Sequence, residues 1–133
     1  MKLNHRLRIL VADDSPIILV RILYLLKPLQ DIDVIGQAQT VEETKQLFLR
    51  QQPDLVILDI QMPDGSGIDA LRFIKQASPT TIVMMLTNYP YLKHRQKCLE
   101  AKADYFFDKS TEFQSIVEVV KSLTKIKGSR HEP

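Results

Sequence analysis

The sequence predicts an α/β domain, a doubly wound parallel sheet of five strands with helices on both faces. Three observations lead there. Five short apolar runs alternate with segments of helical periodicity along the chain. Helix-start signals stand between the runs. The length, 133 residues, suits one domain that buries roughly two-thirds of its unfolded surface. Five strand–helix units in succession need right-handed crossovers, which make the strands parallel and put helices on both sides.

The first run, Leu7-Arg8-Ile9-Leu10-Val11-Ala12, is followed by Ser15-Pro16, an N-cap with proline at the first helical position. The second run, Asp33-Val34-Ile35-Gly36-Gln37-Ala38, leads into Thr40-Val41-Glu42-Glu43, a capping box in which Glu43 reaches back to the Thr40 amide. The third, Leu55-Val56-Ile57-Leu58, and the fourth, Thr81-Ile82-Val83-Met84-Met85-Leu86, are almost continuously apolar, as strands covered on both faces are. Ser66-Gly67-Ile68-Asp69 gives a weaker helix start after the third. The fourth helix, expected over Tyr89 to Ala101, is the poorest, with Leu92, Cys98 and Leu99 as its core contacts. The fifth run, Asp104-Tyr105-Phe106-Phe107, precedes another capping box, Thr111-Glu112-Phe113-Gln114. Beyond it Phe113, Ile116, Val117, Val120 and Leu123 share one helical face, while Val119 falls off that stripe and is expected to be exposed. The expected organisation is a domain over 1–124 and a basic, flexible tail over 125–133, with no output domain.

Composition excludes several classes. Apolar content of 44% with a net charge of +2 excludes disorder as the main state. A single cysteine, Cys98, excludes a disulfide scaffold and suits a reducing, cytoplasmic setting; it is expected to pack in the fourth helix. No apolar run approaches the roughly 18 residues of a membrane span, so no membrane insertion is expected. Lys2, Arg6 and Arg8 precede an apolar stretch that stops at Asp13-Asp14, too interrupted for a signal peptide. The weak positive charge gives no case for nucleic acid, and Lys93, His94, Arg95 and Lys97 read as a mixed-charge surface helix. There is no GxxxxGK phosphate loop. Asp59 to Gly65 fails the calcium-loop pattern, since Pro63 stands at a ligand position and the closing Glu is missing. His5, His94 and His131 share no metal-ligand spacing.

Function in open parallel sheets collects beyond the carboxyl ends of the strands. The first run ends in Asp13-Asp14, the third in Asp59, the fourth in Thr87-Asn88 and the fifth in Asp108-Lys109; the second ends in Gln37 to Thr40, without an acid. If the strand order is 2-1-3-4-5, the flavodoxin-like one, three carboxylates, a hydroxyl and an ammonium converge on one crevice. Each alone has an ordinary role as helix cap, turn former or solvated charge; their shared location is what points to chemistry. Two unit charges about 4 Å apart interact by roughly 4 kcal/mol at an effective dielectric of 20, so such a cluster raises its own pKa values or recruits a cation. Oxygen-only ligands favour Mg²⁺, with Mn²⁺ as a substitute. Lys109 is a point charge suited to a phosphoryl group, and Thr87 can donate to one. The residues therefore read as a Mg²⁺-dependent phosphoryl-transfer site with a carboxylate nucleophile.

Taken together, Ile9-Leu10-Val11-Ala12-Asp13-Asp14-Ser15, the block from Pro53 to Gly67 around Asp59, the Leu86-Thr87 strand end and Ala103-Asp104-Tyr105-Phe106-Phe107-Asp108-Lys109 resemble the receiver domain of two-component response regulators, the CheY-like fold. The resemblance covers about Arg8 to Leu123 and is that of a stand-alone, single-domain regulator. It implies that Asp59 is the phospho-acceptor, that Asp14 binds Mg²⁺ directly with Asp13 acting through water, and that the Gln61 backbone carbonyl is a further ligand. Lys109 resembles the lysine that pairs with the acid site and then with the phosphoryl group. Thr87 is similar to the switch hydroxyl. Phe106 stands where the family keeps an aromatic that turns inward on activation and alters the face of the fourth helix, fifth strand and fifth helix. Implied partners are a sensor histidine kinase and either a downstream protein target or a histidine phosphotransfer protein.

Departures from the family pattern are Lys109-Ser110 in place of Lys-Pro, Asn88 in place of a small residue, and Tyr89 after it. Gln61 and Tyr89 resemble the two positions that flank the water's route to the phosphoryl group, where a bulky Tyr89 is expected to lengthen its life. Two other readings compete. A haloacid-dehalogenase-like phosphatase needs a second carboxylate two residues after the nucleophile, where Gln61 stands. A receiver-like interaction module working without phosphorylation has no use for the full set of acids, Thr87 and Lys109.

Overall fold

A computed structural model describes residues 6–88 and 92–129. Strands β1 (Leu7–Ala12), β2 (Ile32–Ala38), β3 (Leu55–Asp59), β4 (Ile82–Thr87) and β5 (Tyr105–Asp108) alternate with helices α1 (Pro16–Leu26), α2 (Val41–Gln51), α3 (Gly67–Ala77), α4 (Leu92–Glu100) and α5 (Phe113–Ser129). The strands form one parallel sheet in the order β2-β1-β3-β4-β5. This is the doubly wound architecture and the strand order expected from the alternation of runs.

Period-two alternation divides the core cleanly. Ile9 and Val11 of β1, Leu55 and Ile57 of β3, and Met84 and Leu86 of β4 pack with Leu19, Ile22 and Leu26 of α1 and with Phe113, Ile116 and Val120 of α5. Their neighbours Leu10, Val56, Leu58, Val83, Met85 and Phe106 pack with Phe48 of α2, Leu71 and Ile74 of α3, and Cys98 of α4. All five residues of β3 are buried, which accounts for its unbroken apolar sequence. Edge-to-face contact of Phe48 with Phe73 (6.2 Å) joins α2 to α3, and the Arg21 guanidinium, 4.0 Å from the Phe113 ring centroid, joins α1 to α5.

The starts of α1, α2 and α3 agree with the expected cap residues. Ser15 Oγ accepts from Ile18 N–H, Thr40 Oγ1 from Glu43 N–H and Ser66 Oγ from Ile68 N–H. In the α2 box the Glu43 carboxylate accepts the Gln39 amide (2.9 Å), one residue before the expected Thr40 amide. The start of α5 differs from the expected Thr111 box: the helix begins at Phe113, so Glu112 rather than Thr111 stands at its threshold, and the Glu112 carboxylate accepts the Asp108 amide (2.8 Å).

Four further expectations change. Leu99 is exposed: it comes one residue, a turn of about 100°, after the buried Cys98, which carries it off the narrow core face of α4. Val119 is half-buried against the α1–α5 side of the core. The segment between β3 and α3 is a small antiparallel hairpin, Gln61–Met62 with Gly65–Ser66, where the sequence suggests an ordinary loop. Helix α5 runs to Ser129, so residues 125–129 of the expected tail are helical. Tyr89, the side chain of Leu92, His5 and His131 lie outside the described residues.

Candidate functional site

The parallel sheet brings the strand ends together as expected. Asp13 comes after β1, Asp59 closes β3, Thr87 closes β4 and Lys109 comes after β5. All four are buried, whereas Asp14 is exposed at the rim. One carboxylate oxygen from each of Asp13, Asp14 and Asp59 can be chosen so that all lie within 4.8 Å of one another. Lys109 Nζ donates to Asp13 Oδ2 (2.8 Å) and lies 3.1 Å from Asp59 Oδ1. The other Asp13 oxygen accepts the Ser15 amide (2.9 Å), which orients the carboxylate at the mouth of α1.

Local backbone geometry fixes Asp59. It pairs with Leu86 in register, and the next amide, Ile60 N–H, donates to the Leu86 carbonyl (3.1 Å). The first residue of α3 also presses against it. A Cβ added at Gly67 would lie 1.9 Å from the Asp59 carbonyl oxygen, so only glycine fits there. The Lys109 amide donates to the Thr87 carbonyl (2.7 Å), which ties the ends of β4 and β5 together.

The electrostatics are unbalanced. Burial pushes the Asp59 carboxyl up to about 6, and the neighbouring Asp13 charge adds to the shift; Lys109 and the Gln61 backbone N–H oppose it. Burial alone would lower the Lys109 pKa, but its hydrogen bond to Asp13 and the charges of Asp59 and Asp13 outweigh that and hold it above the ordinary lysine value. One ammonium faces three carboxylates, and the remainder is two negative charges. The donor set is oxygen only, without His or Cys, and suits a hard divalent cation. A cavity of about 600 Å³ opens beside the cluster, lined by Asp14, Gln61, Met62, Pro63, Ser66 and His94. A larger one, about 720 Å³, opens at the amino ends of the strands near Leu7, Gln52, Pro53 and Thr81. It is remote from the cluster, and Asp54 on its wall is bonded to the Arg8 amide.

Thr87 and Phe106 share one face of the sheet: Phe106 is opposite Met85, two residues before Thr87. Phe106 is turned into the core at 9% exposure, with the Arg95 guanidinium 5.6 Å from its ring centroid. Gln61 is exposed in the hairpin. The Lys109–Ser110 bond is trans. Sequence reasoning misses Arg95, His94 and Asp64 as neighbours of these groups. Arg95 and His94 lie in the charged run of α4, whose pattern does not tell which charges face the sheet.

A family model described as the response regulator receiver domain matches residues 9–121. The chain is 31% identical over 112 residues to the uncharacterized transcriptional regulatory protein YhcZ of Bacillus subtilis (strain 168), covering 84% of this chain and 52% of that protein. A two-component response regulator of the LuxR family from Aurantimonas sp. SI85-9A1 superposes with a TM-score of 0.83 at 25% identity, covering 90% of this chain and 86% of that one. A CheY-like receiver domain protein from Methanospirillum hungatei JF-1 gives 0.81 at 24% identity, covering 94% and 98%. The chain spans about half the length of the first curated relatives it matches. Buried acids at the ends of β1 and β3, a lysine after β5, and a family match over residues 9–121 agree with one another: the chain belongs to the receiver domain family of two-component response regulators.

Proposed function

We propose that this receiver domain is a phosphorylation-dependent switch whose acceptor is Asp59. The observation that carries the reading is the buried cluster of Asp13, Asp14 and Asp59 with Lys109 bonded into it. An Asp59 carboxylate oxygen attacks the phosphorus of a sensor-kinase phosphohistidine; the new O–P bond forms as the P–N bond breaks, and the imidazole leaves. Asp13, Asp14, Asp59 and the Gln61 carbonyl would hold Mg²⁺, which when bound supplies positive charge for the phosphoryl oxygens. Lys109 Nζ, 3.1 Å from Asp59, transfers its pairing to a phosphoryl oxygen. The Thr87 hydroxyl donates to another. Gln61 borders the cavity through which water reaches the acyl phosphate.

A donor protein must bring its histidine over this cavity, and Asp14 on its wall stands two residues before the start of α1. Ile17, Val20 and Tyr24 lie on one stripe of α1 at 78%, 66% and 76% exposure. Large apolar side chains so aligned make a landing surface for a kinase helix. No helix among the described residues is long and apolar enough to cross a membrane. The output is read as a contact with a downstream protein or as passage of the phosphoryl group to a histidine phosphotransfer protein.

Intact-mass spectrometry after incubation with acetyl phosphate tests the reading. A Mg²⁺-dependent gain of one phosphoryl group, absent in Asp59→Ala, is expected; no gain in a folded wild type refutes it.

A further inference from the structure

The 61–66 hairpin has its turn at Pro63-Asp64, and the Asp64 side chain leaves the hairpin to reach another element. Its Oδ1 accepts the Val41 amide (2.8 Å) and its Oδ2 the Glu42 amide (3.1 Å), the first two amides of α2. Thr40 Oγ1 takes the third, from Glu43 (3.0 Å). A residue more than twenty positions away in sequence thus supplies two of the acceptors that a helix N-terminus needs. These backbone bonds, that from Val41 foremost, hold the Asp64 carboxyl below its ordinary pKa, so it is ionised at neutral pH and matched to the positive end of the α2 dipole.

The other end of the hairpin meets the acid cluster. Gln61 begins it, two residues after Asp59, and its backbone N–H bonds the Asp59 carboxylate. Ser66 pairs with Gln61 and caps α3. Gly67, the next residue, touches the Asp59 carbonyl so closely that no Cβ fits. The hairpin is therefore a short link with α2 at one end and the acceptor aspartate at the other. Only two residue pairs hold it together, so its placement depends on what anchors the tip.

We propose that Asp64 is a positioning residue for cation binding: by clamping the hairpin tip to the N-terminus of α2, it sets the Gln61 backbone and hence the cation affinity of the Asp13, Asp14 and Asp59 cluster. The inference rests on the proposed reading of that cluster as a Mg²⁺ site. Coupling of this kind is reciprocal. Occupation of the cluster tightens the hairpin and protects the Val41 and Glu42 amides, and loss of the clamp weakens cation binding.

Mg²⁺ titration by calorimetry and amide hydrogen exchange with and without Mg²⁺ test this on the full chain. Asp64→Ala is expected to weaken Mg²⁺ binding about 3–10-fold, less than the roughly 10–100-fold usual for a group bonded directly to a ligand, because Asp64 acts through the hairpin. Asp64→Asn keeps an acceptor oxygen and is expected to fall between Asp64→Ala and wild type. Asp69→Ala removes the same charge from an exposed residue on the first turn of α3 and is expected to bind Mg²⁺ as wild type does. In wild type, Mg²⁺ is expected to slow exchange at Val41 and Glu42, and in Asp64→Ala that slowing disappears. If Asp64→Ala loses protection at these amides but binds Mg²⁺ with wild-type affinity, Asp64 is a helix cap alone and the inference is overturned. Equal weakening by Asp69→Ala overturns it too, because charge rather than the clamp then accounts for the effect. Failure of wild type to bind Mg²⁺ at millimolar concentration removes the cation reading itself, and this inference with it.

Discussion

Replacing Asp59 by asparagine should stabilise the metal-free protein. The side chain is buried beside Asp13, and its carboxyl is pushed from 3.8 up to about 6. In the unfolded chain it returns to the ordinary value. Between these two values the folded state holds a proton that the unfolded state has released, so this group's contribution to stability is greatest below about pH 4 and is lost as pH rises through 6. A difference of about two units at roughly 1.4 kcal/mol each sets an upper estimate of about 3 kcal/mol opposing folding at pH 7. The amide introduced by Asp59→Asn would keep the shape and one acceptor oxygen for Lys109, so most of that opposition disappears; the expected gain is about 1–3 kcal/mol. The assay is urea unfolding in EDTA across pH 4–8 for wild type and Asp59→Asn. The difference between them should be near zero at pH 4 and reach its full size above pH 7. Added Mg²⁺ should narrow the gap, because a cation stabilises the wild-type carboxylate and has less to gain from the amide. A variant no more stable than wild type at pH 7, with a parallel pH profile, would refute the claim that Asp59 is held ionised at a cost.

Other perturbations probe the same geometry. Lys109→Met leaves Asp13 and Asp59 without their shared ammonium; phosphoryl uptake from acetyl phosphate should fall at least tenfold, and stability in EDTA at pH 7 should drop by about 1–3 kcal/mol, recovering in part as pH is lowered and Asp59 takes a proton. Gly67→Ala sets a Cβ 1.9 Å from the Asp59 carbonyl oxygen, so it should destabilise by about 2 kcal/mol or more by urea unfolding and also impair phosphoryl uptake, unlike a surface Gly→Ala change. Cys98 is fully buried with its thiol pushed up by burial to about 11, so alkylation by iodoacetamide at pH 8, read by mass, should be negligible when folded and rapid in urea.

The strands and the acid cluster are legible in the sequence because each rests on a local signal that burial amplifies. Leu55 to Leu58 is apolar throughout because both of its faces are covered, and a half-exposed strand would alternate instead. Asp13, Asp59, Thr87 and Lys109 stand at or just beyond the carboxyl ends of their runs, and parallel strands bring those positions to one end of the sheet. Elements that depend on contacts between distant segments are not legible. The hairpin at 61–66 has two-residue strands, too short for any periodicity, and Pro63, Asp64 and Gly65 look the same in a loop as in a hairpin turn. The clamp from Asp64 to Val41 and Glu42 joins residues whose proximity no local pattern encodes. Helix α4 is hardest, because its single fully buried side chain among those described, Cys98, sets no stripe from which Leu99 or Arg95 could be oriented.

Rigidity and charge together suit this place to the proposed switch. The backbone around Asp59 is held both by the Leu86 register and by the Gly67 contact. The carboxylates therefore cannot relieve their mutual repulsion by moving apart, as exposed acids would. Relief must come through protonation, a bound cation or a change in the charge that Lys109 and Thr87 see. Small electrostatic inputs then become displacements in whatever is least constrained nearby, since packed elements repack between discrete arrangements rather than stretch. On the sheet face shared by Thr87 and Phe106, the Arg95 guanidinium of α4 lies over the ring, and α4 contributes one fully buried side chain, Cys98, among those described. Helices α1 and α5 are instead joined by the Arg21–Phe113 contact and several buried apolar residues each. A charge change at Asp59 should consequently be read first in α4 and Phe106 and last in α1, and hydrogen exchange compared between unmodified and phosphorylated protein should rank the helices in that order.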